Sequence, residues 1–211
     1  MKLINITKAN KEKTKKKFYT RFKDNIKYLP RNEMDLLLNH IKLKDIMHRK
    51  RNHLMFSLLL SMGCRITEFT LIEIKHIDFS IGLIKIPAEN TKTKQSRSVR
   101  VNPGILLDLK DYIHTNNIKN GYLFRNKQNM PITPRNYNDL LKKYYDDIKD
   151  KLTFKPHCHT FRHSHVVYAL DNKVPMPAIM KQVGHIRLTT TQIYADIAGS
   201  HVKEMYKEVD F

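Results

Sequence analysis

Cysteine is scarce in this chain: two residues in 211, Cys64 and Cys158, with no second thiol at metal-ligand spacing from either. That scarcity excludes a disulfide scaffold and points to a reducing, cytoplasmic setting. Long apolar runs are missing as well. The longest, near Leu54–Met62, is too short to span a bilayer and reads as a buried helix. The basic N-terminus is followed by no apolar segment, so no secretory signal is expected. Acidic residues are also in deficit, 20 Asp and Glu against 39 Lys and Arg, which leaves a net charge of +19. Such an excess is the electrostatic footprint of a nucleic-acid binder; a basic soluble protein or one held to an acidic membrane surface are the other readings. There is no internal repeat, and no low-complexity segment outside the first stretch.

What the chain does contain falls in order along it. Residues 1–27 carry nine Lys and one Arg against Glu12 and Asp24, with too few apolar residues to pack a core. They are either a solvated tail or a flexible arm that tracks phosphates without reading sequence. Folded structure is expected from 28 to 211. Met34, Leu37, Leu38 and Ile41 recur at i, i+3, i+4, i+7, an amphipathic helix with Pro30 in its first turn. A helix over about 47–62, apolar nearly all round in its second half, is expected at the centre of the core, ended by Gly63, with a short helix from about Ile66. In 79–101, Ile84 and Ile86 alternate with Lys85, and Val99 and Val101 with Arg100. These are strands around a polar loop bearing Lys92, Lys94 and Arg97. Helices follow at 103–116 and 134–149, the second burying Tyr137, Leu140, Leu141 and Tyr144. Arg135, Lys142 and Lys143 lie on its other sides, facing either DNA or solvent. The class expected is mainly α with a small antiparallel β-sheet (α+β).

The densest chemistry lies in 157–194. A helix starting with Thr160 as its cap would set His159 and Arg162 on one face, and its N-terminal amides would suit a phosphate. Gly184 places His185 after a short helical segment, and Tyr194 follows nine residues later. HTFRH, VGH and TTTQIY together resemble the C-terminal signature of the tyrosine recombinases, the phage integrase family, with Val183 where the family has Leu. GCRITE (63–68) resembles the family's first-arginine box, and NTKTKQSRSVRV (90–101) its lysine-bearing β-hairpin. The resemblance covers about 28–195.

That resemblance implies the catalytic-domain fold of the family and a catalytic set of Arg65, Lys92, His159, Arg162, His185 and the nucleophile Tyr194. Lys94 is an alternative to Lys92, since a hairpin tip can slip register. Glu68 and His163 would be supporting residues, and Lys94, Arg97, Arg135, Lys142 and Lys143 would face double-stranded DNA. Neither a cofactor nor a metal is implied. Zinc is the competing reading of His159 and His163 at i, i+4, but no HExxH glutamate or second Cys ligand accompanies them. The implied reaction is DNA strand cleavage and rejoining in a site-specific recombinase. A relaxing enzyme of the topoisomerase IB type and a non-catalytic regulator of the same fold are the alternatives. The family also implies a homo-oligomer, a tetrameric synapse linked by exchanged C-terminal tails. Here Val202, Met205, Tyr206 and Val209 make an apolar stripe on a short tail helix, about 199–211. The expected location is the cytoplasm, at the nucleoid. In place of the separate N-terminal domain that usually closes a clamp on DNA in the family stands only the basic arm, so the chain either resembles the short recombinases of fimbrial phase variation or is a fragment of a longer integrase.

Overall fold

The computed structural model describes residues 27–44 and 49–184. His185, Tyr194, the basic stretch 1–26 and the tail 199–211 lie outside the described residues.

Helix α1 (Arg31–Lys44) forms as its apolar spacing dictates, burying Met34, Leu37 and Ile41. Pro30 sits just before its first residue, and its carbonyl accepts the Met34 N–H at 3.0 Å. The preceding strap is pinned to a helix much later in the chain. The Leu29 N–H donates to the Ser164 hydroxyl at 3.1 Å, the Tyr168 hydroxyl donates to the Leu29 carbonyl at 2.6 Å, and the Leu29 side chain is fully buried.

Helix α2 (Arg49–Met62) is the hub. Leu54, Met55, Phe56, Leu58, Leu59 and Met62 are all buried, and the helix packs against α1 and two later helices. Gly63 stops it in the left-handed region, φ +59°, where a Cβ would overlap the His165 ring. Glycine is required there for conformation and for space. The short helix α3 (Ile66–Thr70) follows at once.

Strands β1 (Ile77–Asp78), β2 (Leu83–Ile86) and β3 (Arg97–Arg100) form an antiparallel sheet in the order 1-2-3, with Ile84 opposite Ile77 on one side and Val99 on the other. β1 is too short to leave a periodic signal in the sequence. Helix α4 (Pro103–Thr115) is capped by the Asn102 side chain. Helix α5 (Pro134–Ile148), capped by Thr133, buries Tyr137, Leu141, Tyr144 and Ile148 on one stripe.

Helix α6 (Cys158–Asp171) starts three residues earlier than a Thr160 cap would place it. His157 occupies the cap position, and Thr160 lies in the first turn with its hydroxyl reaching back to the His157 N–H at 3.1 Å. Thr160 therefore caps from inside the helix rather than ahead of it. Asn138 on α5 accepts the Cys158 N–H at 3.0 Å, so one otherwise unpaired amide of the first turn is satisfied by a neighbouring helix. Helix α7 (Met176–Val183) ends at Gly184, left-handed at φ +73°.

An aromatic spine holds the helices in place. Phe161 of α6 stacks on Phe56 of α2 at 5.4 Å, and Phe56 meets Tyr137 of α5 edge-on at 6.2 Å. Tyr137 in turn meets Phe69 of α3 at 5.7 Å, and Phe69 stacks on Phe124 at 5.8 Å. A smaller cluster of Val166, Val167, Ile179 and Val183 docks α7 onto α6.

Candidate active site

Arg65 stands at the junction of α2 and α3, its backbone extended at φ −71°, ψ 144°. Three residues on, Glu68 turns its carboxylate back. It accepts the Arg65 N–H at 3.0 Å and Arg65 Nη1 at 2.9 Å. Glu68 is only 1% exposed, so this carboxylate is charged in a desolvated place. Burial alone would raise its pKa. The hydrogen bond and charge of Arg97 and the two donors of Arg65 outweigh that cost and hold it below the usual carboxylate range.

Arg162 projects from α6 and is buried. Its Nη1 donates to the Gly63 carbonyl at 3.0 Å and to the Val183 carbonyl at 2.6 Å. Arg65 Nη2 reaches the next carbonyl, that of Gly184, at 3.5 Å. Arg97 Nε and Nη2 take the carbonyls of Gln182 and Val183 at 3.2 and 3.3 Å. Three guanidinium groups, from the α2–α3 junction, β3 and α6, thus gather on the carbonyls at the end of α7, the negative end of its dipole. The chain leaving that turn begins with His185.

His159 lies one turn before Arg162 on the same face of α6, exposed at the helix start. Partial burial and the charges of His157, Arg162 and Arg65 lower its pKa, so it is a neutral imidazole near pH 7. His163 is half-buried, its ring 6.5 Å from that of His159. Burial, then His159 and Arg162, push its pKa down to about 4. His165, to which the sequence pattern assigns no role, is held at about 4 by burial, with its Nδ1 2.9 Å from the Leu60 carbonyl above Gly63. Cys64 and Cys158 flank the site but are buried thiols, pushed up to about 12 by desolvation.

Lys92 lies between a short turn at Ala88–Asn90 and β3, not on a strand. The buried Thr91 closes the tip. Its carbonyl accepts the Lys94 N–H at 3.3 Å, and its hydroxyl accepts the Gln95 N–H at 3.1 Å. Lys92 and Lys94 are both exposed on that turn, and Lys94 takes a left-handed backbone, φ +56°. Arg135, Lys142 and Lys143 are exposed on α5, with Arg135 3.8 Å from Asp139. Lys142 shares a groove with Lys155, His157 and His159. Arg97 lies elsewhere than expected. It is turned inward, on Glu68 and the α7 carbonyls, with a side chain 10% exposed. The signal was available: Arg97 has the parity of Val99 and Val101, the buried face of the strand. Gln182 was also missed. Its amide accepts the Arg100 N–H at 3.0 Å and donates to the Arg100 carbonyl at 2.8 Å.

Among the described residues, no group of three or more His, Cys, Asp or Glu could hold a metal ion. No helix among them is long and apolar enough to cross a membrane.

A family model described as the phage integrase family matches residues 27–201. The chain belongs to that family. Among its relatives, this integrase-family chain is 31% identical over 159 residues to the tyrosine recombinase XerA of Thermococcus onnurineus, across 74% of this chain and 54% of that protein. Its fold matches the crystal structure of XerA recombinase with a TM-score of 0.72 at 21% identity, over 88% of this chain and 66% of that one. It also matches XerH site-specific recombinase bound to palindromic difH substrate in a post-cleavage complex, with a TM-score of 0.71 at 20% identity, over 86% and 52% of the two chains. The integrase-family chain spans about half the length of the curated relatives it matches.

Proposed function

We propose that this chain is the catalytic domain of a site-specific DNA recombinase that cleaves and rejoins strands through Tyr194. Tyr194 Oη attacks the scissile phosphorus in line, the bond to the 5′-oxygen of the next nucleotide breaks, and a 3′-phosphotyrosyl linkage forms. The linkage keeps the energy of the phosphodiester, so the 5′-hydroxyl of a second strand reverses the step and joins new partners. Arg65 and Arg162 donate to the non-bridging oxygens as charge builds there, in the place that metal ions take in nucleases. Each such preorganised donor is typically worth about 3 kcal/mol in the transition state. A neutral His159, with His185, accepts the phenolic proton, and Lys92 protonates the leaving oxygen.

The observation that carries this reading is the convergence of Arg65 and Arg162 on the consecutive carbonyls of Val183 and Gly184. It sets two permanent cations at the end of α7, the point in the chain directly before His185. Double-stranded DNA as substrate is supported by the net charge of +19 and by the DNA-bound relative. Lys94, Arg135, Lys142 and Lys143 would contact the duplex. The arm 1–27 would add salt-dependent affinity, and the apolar stripe of 199–211 would dock on a neighbouring protomer in a tetramer. Deleting 199–211 should spare single-site binding and abolish cooperative binding; cooperative binding by the truncated chain would remove tail exchange from the reading.

A nicked suicide substrate tests the chemistry. Wild type should leave DNA covalently attached in a denaturing gel, and Tyr194→Phe should bind the same DNA without trapping it. Trapping by the Phe variant would mean that another tyrosine is the nucleophile. Sulfur in place of the bridging 5′-oxygen should restore Lys92→Ala, which lacks only the leaving-group proton, and not Arg65→Ala or Arg162→Ala.

A further inference from the structure

We propose that Arg97 is a positioning residue: one guanidinium that locks the first-arginine segment, the lysine-bearing turn and the chain entering His185 into a single arrangement. The inference rests on the reading of Arg65, Lys92 and the following His185–Tyr194 segment as one reaction centre.

Arg97 is the first residue of β3, directly after the 91–96 turn that carries Lys92. Its Nη2 is 2.5 Å from Glu68 Oε2 and its Nη1 3.4 Å from Oε1, a two-pronged grip on a carboxylate whose other contacts are both to Arg65. Its Nε and Nη2 also hold the carbonyls of Gln182 and Val183. The fit around it leaves no slack. A Cβ on Gly184 would lie 2.7 Å from Arg97 Cζ, so the turn rests on the plane of the guanidinium. Three segments far apart in sequence therefore meet on one side chain.

Lysine cannot replace it. A single ammonium carries the charge but not a planar fork able to span a carboxylate and two carbonyls at once. Nor is the side chain available to DNA, with its nitrogens turned to Glu68 and the α7 carbonyls.

The test uses the full chain with Arg97→Ala, Arg97→Lys and the double variant Glu68→Gln/Arg97→Gln, which replaces an ion pair by a neutral hydrogen-bonding pair that can still fold. DNA affinity should stay within about twofold of wild type, while the single-turnover rate of covalent-complex formation at saturating DNA falls about a hundredfold in Arg97→Ala, as for a misplaced donor. Arg97→Lys should stay well below wild type despite its charge, and a 5′-bridging sulfur should not restore it. The opposite pattern overturns the inference: a wild-type covalent rate at saturating DNA, with weaker binding and a salt slope lower by about one, would make Arg97 a phosphate contact. A wild-type covalent rate in the double variant would overturn it as well. Amide hydrogen exchange in the free chain gives a readout independent of the chemistry. Exchange should accelerate at 65–69 and 180–184 in both single variants and stay unchanged in α1 and α5. If wild type forms no covalent complex, the reading of the site fails while exchange still decides this inference; unchanged exchange overturns it.

Discussion

Replacing Glu68 by Ala removes the carboxylate that Arg65 and Arg97 share. Glu68 is 1% exposed and the Arg97 side chain 10%, whereas the Arg65 side chain is 27% exposed. Arg65 can turn to water when its partner goes; Arg97 cannot. Removing one member of a buried ion pair costs about 3–5 kcal/mol, because the other charge is left without compensation. Arg97 keeps its two carbonyl acceptors on α7, so the lower end, about 3 kcal/mol, is expected. For a domain of this size that corresponds to a fall in melting temperature of about 6–12 °C, readable by circular dichroism at pH 7. The pH dependence has a definite sign. The folded-state pKa of Glu68 is depressed, so its contribution is complete above its unfolded pKa and is lost as pH falls through the folded value. The gap between wild type and Glu68→Ala should therefore narrow on acidification below the ordinary glutamate range. A loss of under 1 kcal/mol at pH 7, or a gap that widens in acid, would refute the assignment of Glu68 as the charge that holds Arg97.

Gly63→Ala forces a left-handed backbone on a residue with a side chain and drives its Cβ into the His165 ring. A loss of about 2 kcal/mol or more is expected from urea unfolding, and a silent substitution would mean that the ring moves freely. Because His163 and His165 are depressed to about 4, the unfolded chain binds more protons than the folded one between about 6.5 and 4. Stability should fall as pH drops through that window. His165→Asn, which keeps a donor for the Leu60 carbonyl but cannot titrate, should flatten the fall in the denaturant midpoint.

Much of this fold was legible because its signals are local. The stripe of Met34, Leu37 and Ile41, the stop at Gly63 and the alternation around Ile84 and Val99 each lie within one element, and each appears in place. The cap of α6 was misplaced because a threonine hydroxyl can satisfy the same backbone donors from inside the first turn. Arg97 is the more instructive case. Its strand parity said inward while its charge and basic neighbours said outward, and a buried carboxylate 29 residues away decided between them. The gathering of three arginines on the carbonyls of 182–184 joins residues 21 to 119 positions apart. No local pattern encodes such a contact.

The sheet's outer border has a consequence of its own. β3 is the last strand, and a bare strand border is a template on which a foreign chain can add itself. Here the Gln182 amide mimics a neighbouring peptide group, meeting both the N–H and the carbonyl of Arg100. At the opposite border β1 is only two residues long. Among the described residues both borders are thus poor templates for strand addition, one because Gln182 occupies the Arg100 peptide groups and the other because it is so short. A border of this kind favours contacts in which side-chain shape, rather than generic backbone pairing, decides which partner fits and in which orientation.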